Sequence, residues 1–113
     1  MTYDNARKLA DDLHNSAEYA TFCTARDAAF ESEATKSLLT EYHKLQMKAQ
    51  AAMMAGDRNE ELMQKLQKMG ELLQFDNAAA AYLLAEYRLN TMLGDVYKIL
   101  AEAIDVDLSA LEG

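Results

Sequence analysis

Seven apolar residues late in this 113-residue chain, Tyr82, Ala85, Leu89, Met92, Val96, Ile99 and Ala103, recur at alternating spacings of 3 and 4. An α-helix turns once every 3.6 residues, so this spacing lines one helix face for three heptads. On a strand the same residues would scatter over both faces. Leu93, Leu100 and Ile104 widen the stripe, which suits packing against more than one neighbour. A helix over 77–104 rises roughly 40 Å at 1.5 Å per residue. A compact domain of this length has a diameter of only ~26 Å. The sequence therefore predicts an all-α fold: an elongated antiparallel helical bundle with a central helical hairpin and a long C-terminal helix, in one domain over 1–113.

Composition supports this reading. Val and Ile total four residues, too few for strand interiors. Ala, Leu, Met, Glu, Lys and Gln dominate, and these are strong helix formers. With no proline, punctuation falls to caps and glycine. Helices are expected at about 3–14, 17–31, 33–55, 58–74 and 77–104. Ser16 and Ser32 are read as N-caps, and Asp76 or Asn77 as the cap of the last helix. The junction between the first two segments rests on Ser16 alone and is open to being a kink. Tyr19, Phe22, Cys23, Arg26 and Phe30 share a face of the second segment. In the third, Leu38, Tyr42, Leu45, Ala49 and Ala52 form the apolar stripe, and in the fourth Leu62, Leu66, Met69 and Leu73 do so. Gly56 reads as a left-handed helix stop. Asp57-Arg58-Asn59-Glu60 after it resembles a capping box. A stop joined directly to a start implies a tight helical hairpin. The acidic tail 105–113 is expected to fray, with Val106, Leu108 and Leu111 able to dock.

The formal charge is −8. This opposes direct nucleic-acid binding, since phosphate contacts need a positive field. The longest apolar run, 78–85, is too short for a bilayer, which takes about 20 residues. The start lacks a basic leader and an apolar core, and the single cysteine, Cys23, forms no internal disulfide. A cytoplasmic protein is expected. Charge is uneven: 1–35 carries net −4, 36–68 net +2 and 69–113 net −6. Complementary charge between neighbouring helices accounts for this blandly. The sharper alternative is a docking face for an acidic partner, drawn from Lys44, Lys48, Lys65 and Lys68 with Met53, Met54 and Met63.

No catalytic constellation is visible, and no catalytic, cofactor or metal residue is assigned. His14 and His43 lack a carboxylate or thiol at ligand spacing, and the Glu-x-x-His pattern of di-iron bundles is absent. No glycine-rich phosphate loop occurs. Met47, Met53, Met54, Met63 and Met69 read as core or subunit contact before groove. Tyr42, Tyr82, Tyr87 and Tyr97 read as half-buried with wet hydroxyls. Glu86, beside the stripe, is expected to need a partner.

The order Leu9-Ala10, Ser16-x-Glu18-Tyr19, Ala25, Leu38-Leu39, Gln46, Gln50, Gly56 and Tyr82-x-x-Ala85-Glu86 resembles the YlbF/YmcA family of small bacterial helical proteins. The similarity runs from about Ala6 to Ile104. Asn77-Ala78 stands where the family often has Asn-Pro. The resemblance implies an all-helical, cytosolic, self-associating protein without known enzymatic activity. Some members regulate competence, sporulation and biofilm formation in Gram-positive bacteria, within a complex that affects an endoribonuclease and carries iron–sulfur clusters. Those members supply several cysteines near the C-terminus. This chain has none after Cys23, so the cluster role is not carried over, and the likeness is to the uncharacterised branch. The expected function is a non-enzymatic regulatory adaptor. It would be a homo-oligomer, as a dimer first, with other family members or a regulatory complex as further partners. Tyr82, Ala85, Leu89, Met92, Val96 and Ile99 are its candidate interface. The alternatives are a metal- or cluster-linked redox sensor using Cys23 across subunits, and a small-molecule-binding bundle.

Overall fold

A computed structural model describes residues 1–105, so the tail beyond Asp105, with Val106, Leu108 and Leu111, lies outside the described residues. Five helices follow one another: α1 (Asp4–His14), α2 (Ala17–Phe30), α3 (Glu33–Met54), α4 (Glu60–Gln74) and α5 (Asn77–Ile104). Among the described residues there is no strand. The described residues divide into two compact units, one of 1–22 with 84–105, the other of Cys23–Leu83.

Each helix end has a local cause. The Ser16 hydroxyl accepts from the Tyr19 backbone N–H at 3.2 Å and donates to the Leu13 carbonyl at 2.7 Å. It thereby closes α1 and opens α2, which makes the junction a true break. Ser32 caps α3 in the same way, through Thr35 N–H at 3.2 Å. At the far end of α3, Gly56 takes φ +77, and its N–H donates to the Met53 carbonyl at 3.0 Å. Asp57 N–H reaches the Ala52 carbonyl at 2.8 Å. This pair of bonds is the Schellman closure, and it requires the left-handed residue that glycine supplies most cheaply. The cap of α4 is Asn59, whose Oδ1 accepts from Leu62 N–H at 3.1 Å, and not Asp57. Asp57 is committed to the Schellman turn, so α4 begins two residues later than the capping-box spacing implied.

Asp76 is the cap of α5. Its Oδ1 accepts from Ala78 and Ala79 N–H at 3.0 and 3.2 Å, while Oδ2 accepts the Thr35 hydroxyl. This ties the start of α5 to the first turn of α3. The Thr35 hydrogen bond and then that from Ala79, with a lesser one from Ala78, hold the Asp76 carboxyl below its ordinary value of 3.8 over the opposing effect of desolvation.

The core of the 23–83 unit is built from Ala29 of α2, Thr35, Leu39, Leu45 and Ala49 of α3, Leu73 of α4, and Ala79 and Tyr82 of α5. Leu39 and Leu73 are fully enclosed. Tyr82 meets Phe30 at 5.7 Å and His43 at 5.9 Å between ring centroids. In the first half of α3 the stripe differs from the sequence spacing. Leu39 faces the core, and Leu38 is 38 % exposed. The reason is the company α3 keeps. Near its start it meets the head of α5 through Thr35 and Asp76, and further on it meets Tyr82 through His43, which turns its inner face toward Thr35 and Leu39. Beyond that it packs on α4, and Leu45 and Ala49 are buried as the spacing implied.

The other unit holds α1, the start of α2 and the later part of α5. Its only buried side chain among the described residues is Ala85. Leu9, Leu13, Leu89, Met92 and Val96 are half-buried.

Candidate interaction site

The α5 stripe changes character along its length. Tyr82 and Ala85 are 5 % and 3 % exposed, Leu89, Met92 and Val96 are half-buried, and Ile99 is 65 % exposed. Leu100 and Ile104 beside it are also exposed. The stripe therefore serves two ends. Tyr82 belongs to the 23–83 core, Ala85 is the buried side chain of the other unit, and the last two turns present an apolar ridge. α1 lies in the same unit as that ridge and is strongly amphipathic, yet none of its residues is buried. Tyr3 is exposed and Leu9 and Leu13 are half-covered.

The hairpin residues do not form one surface. Met53 and Met63 line a cleft of about 230 Å³ beside the α3–α4 turn, with Ala49, Ala52, Arg58 and Leu62. Lys44, Lys48, Lys65, Lys68 and Met54 do not line it. Lys65 instead lies 3.7 Å from Glu61, one turn back on its own helix. Met47, Met53, Met54 and Met63 are exposed, so within one chain they do not fill the core; Met69 is half-buried. The cleft is smaller than the ~300–1,000 Å³ of ordinary small-molecule pockets. Tyr87 and Tyr97 are exposed and Tyr82 is buried, leaving Tyr42 as the half-buried tyrosine of the four expected to be so. Tyr87 and Tyr97 lie off the stripe that Tyr82 opens. Glu86 is half-buried.

Sequence periodicity missed one feature of α4. Leu72 is 61 % exposed and Phe75 is 88 % exposed. With Lys65 and Lys68 they fall at spacings of 3, 4 and 3, which is one face of the helix. The inner stripe of α4 has the same period, so the period alone marks the inner set and passes over the outer one.

Cys23 is half-buried. Among the described residues no group of three or more His, Cys, Asp or Glu is placed to hold a metal ion. No helix among them is long and apolar enough to cross a membrane.

The family described as control of competence regulator ComK, YlbF/YmcA, matches residues 2–105. The chain belongs to the YlbF/YmcA family. A UPF0342 protein of Symbiobacterium thermophilum is 40 % identical over 107 residues, covering 94 % of this chain and 96 % of that protein. A UPF0342 protein of Halothermothrix orenii is 32 % identical over 111 residues, covering 97 % and 94 %. Among solved structures, a protein of unknown function (DUF964) from Bacillus stearothermophilus shares the fold with a TM-score of 0.76 at 16 % identity, over 91 % of both chains. A chain of the crystal structure of Bacillus subtilis RicA in complex with RicF gives a TM-score of 0.58 at 17 % identity over 89 % and 90 %. The all-helical architecture is therefore that of this regulatory family.

Proposed function

We propose that this protein is a non-enzymatic, cytoplasmic regulatory adaptor that self-associates through the far end of the α5 stripe. The observation that carries the reading is the climb in exposure along that stripe, from 3 % at Ala85 to 65 % at Ile99. An apolar face that runs on beyond its own cover is the mark of an interface. Family membership supports the regulatory role, and the complex of RicA with RicF supports protein partnership as the mode of action.

The energetics decide how large the contact must be. Full burial of a Leu or Ile side chain contributes about 1.5–3 kcal/mol. Ile99, Leu100 and Ile104 are about half to two-thirds exposed, so covering them yields roughly 3–5 kcal/mol. Association itself costs about 4–15 kcal/mol in lost freedom. The ridge alone is therefore insufficient. The interface must extend over the adjoining half-buried Met92 and Val96 and over the α1 stripe with Tyr3, Leu9 and Leu13. A symmetric dimer, which buries the same patch twice, meets that requirement most simply.

The test uses Ile99→Asp and Ile104→Asp together. Both positions are exposed in one copy, so the charges leave the lone fold intact. Size-exclusion chromatography with light scattering is expected to show loss of the oligomer, with helicity and a cooperative melt retained. Unchanged mass in the double variant refutes the assignment.

A further inference from the structure

We propose that residues 106–111 form a strap that folds back along the exposed end of α5 and covers Ile99, Leu100 and Ile104 in the lone chain, so that a second copy must displace it to associate. The inference rests on the self-association reading and adds to it how that same ridge is regulated. The strap itself lies outside the described residues, and its point of attachment, its reach and its residue pattern support it.

The attachment comes first. α5 stops at Ile104, itself an exposed ridge residue, and Asp105 takes φ +51. A residue in the left-handed region ends a helix and turns the chain off its axis, and Asp tolerates that region better than most residues. The same device stands at Gly56, φ +77, and there the chain returns as α4 packed on α3. In such endings the next residue frequently makes an apolar contact one turn back on its own helix. Counted from Asp105, that contact sets Val106 against Leu100 or Ala101. Reach follows. From Ile104 back to Ile99 is roughly 7.5 Å along the helix axis. Six extended residues span up to about 20 Å, enough to pass every exposed ridge residue. The third support is pattern. Val106, Leu108 and Ala110 alternate with Asp107 and Ser109. An extended segment with that period lays one apolar side on a surface and keeps its polar side in water.

Connectivity selects this occupant in the lone molecule. The strap is tethered at the last residue of the ridge, so it meets that ridge at the millimolar effective concentration of a short tether. A second copy arrives only at its free concentration. It covers more surface once it docks, because the α1 stripe joins the contact, so it replaces the strap when the protein is concentrated. Both occupants cover Ile99, Leu100 and Ile104, so they exclude each other. A competent state that is only partly populated weakens apparent affinity by that fraction. In a symmetric dimer both copies must open, so the fraction enters twice. A strap open in about a third of the copies raises the apparent dissociation constant about tenfold.

The test has two arms on the full chain. The sequence contains no Trp, so Leu108→Trp gives a single tryptophan reporter. At the lowest workable concentration its emission is expected to be blue-shifted, as for a ring packed on apolar groups. Adding Ile99→Asp and Ile104→Asp is expected to return it to the emission of a water-exposed ring. Circular dichroism checks that the helices remain. In the second arm Val106, Leu108 and Leu111 are all changed to Ser. Light scattering through a dilution series is expected to show self-association tightened about tenfold, because the ridge no longer has its tethered competitor. Water-exposed emission at the lowest concentration overturns the strap, as does a blue shift that survives the two Asp substitutions. An unchanged dissociation constant in the triple variant also overturns it. A weaker dimer would assign the segment to the contact between copies and overturns it too. The two readings fail separately. A chain that stays monomeric throughout but keeps the blue-shifted reporter defeats self-association alone, and a dimer that dissociates to a monomer with a water-exposed reporter defeats the strap alone.

Discussion

Two adjacent leucines on α3 offer a direct trial of how that helix packs. Leu39 is fully enclosed and Leu38 is 38 % exposed, although it is Leu38 that falls on the apolar stripe read from sequence. Truncating Leu39 to Ala removes the equivalent of three carbon groups from a closed site. At about 0.8 kcal/mol per group the transfer loss is about 2.4 kcal/mol. The cavity left behind adds to this, and measured Leu→Ala changes in cores span about 2–5 kcal/mol. The better helix propensity of Ala returns only a few tenths. A loss of about 3 kcal/mol is therefore expected for Leu39→Ala. Leu38→Ala carries the same chemistry at a site 38 % exposed, so the same rate gives about 1.5 kcal/mol, with no closed cavity to add to it. Urea denaturation followed by far-UV circular dichroism measures both, with the slope checked to be unchanged. Equal losses, or a larger one for Leu38, would show that α3 turns a different face to the core.

The two glycines at Gly56 and Gly94 should respond in opposite directions. Gly56→Ala forces a Cβ into a φ of +77 and should destabilise by about 1 kcal/mol. Gly94 lies inside α5 with nothing within 4 Å of a built Cβ, so Gly94→Ala should stabilise by about 0.5–1 kcal/mol, read as a rise in melting temperature. The Asp76 carboxyl is held below 3.8 in the folded state, so its contribution is complete above the unfolded value and is lost as pH falls through the folded one. Asp76→Asn should lower stability near neutral pH and flatten the decline on acidification, measured by denaturation midpoints across the acid range.

The fold was legible where local chemistry speaks for itself. The caps at Ser16, Ser32 and Asp76 and the stop at Gly56 depend on hydrogen bonds within a few residues, and the structure places each where the sequence implied. The start of α4 was missed because Asp57 and Asn59 are both good caps, and only the Schellman turn, which claims Asp57, decides between them. The α3 stripe was half legible. Period alone cannot say which neighbours a helix has, and it was the head of α5 at Asp76 and Tyr82 that turned Leu39 inward. Of the two places read for the methionines, core or subunit contact, the core is not where Met47, Met53, Met54 and Met63 lie within one chain. Met is at home in a core or on a surface, and its sequence carries no mark of whether a third helix arrives to cover it. For the interaction surfaces, periodicity marked Ile99 as apolar on a continuous ridge, but the loss of cover partway along the helix is a property of packing. Phe75 stood outside every inner stripe, and its near-complete exposure is visible only in three dimensions.

The central claim is that the end of α5 is covered by another polypeptide. The molar mass of the wild-type chain, measured by light scattering through a dilution series, tests this most directly. At least twice the 12.6 kDa of one chain is expected at the upper concentrations, falling toward 12.6 kDa on dilution. A mass of 12.6 kDa throughout would contradict it.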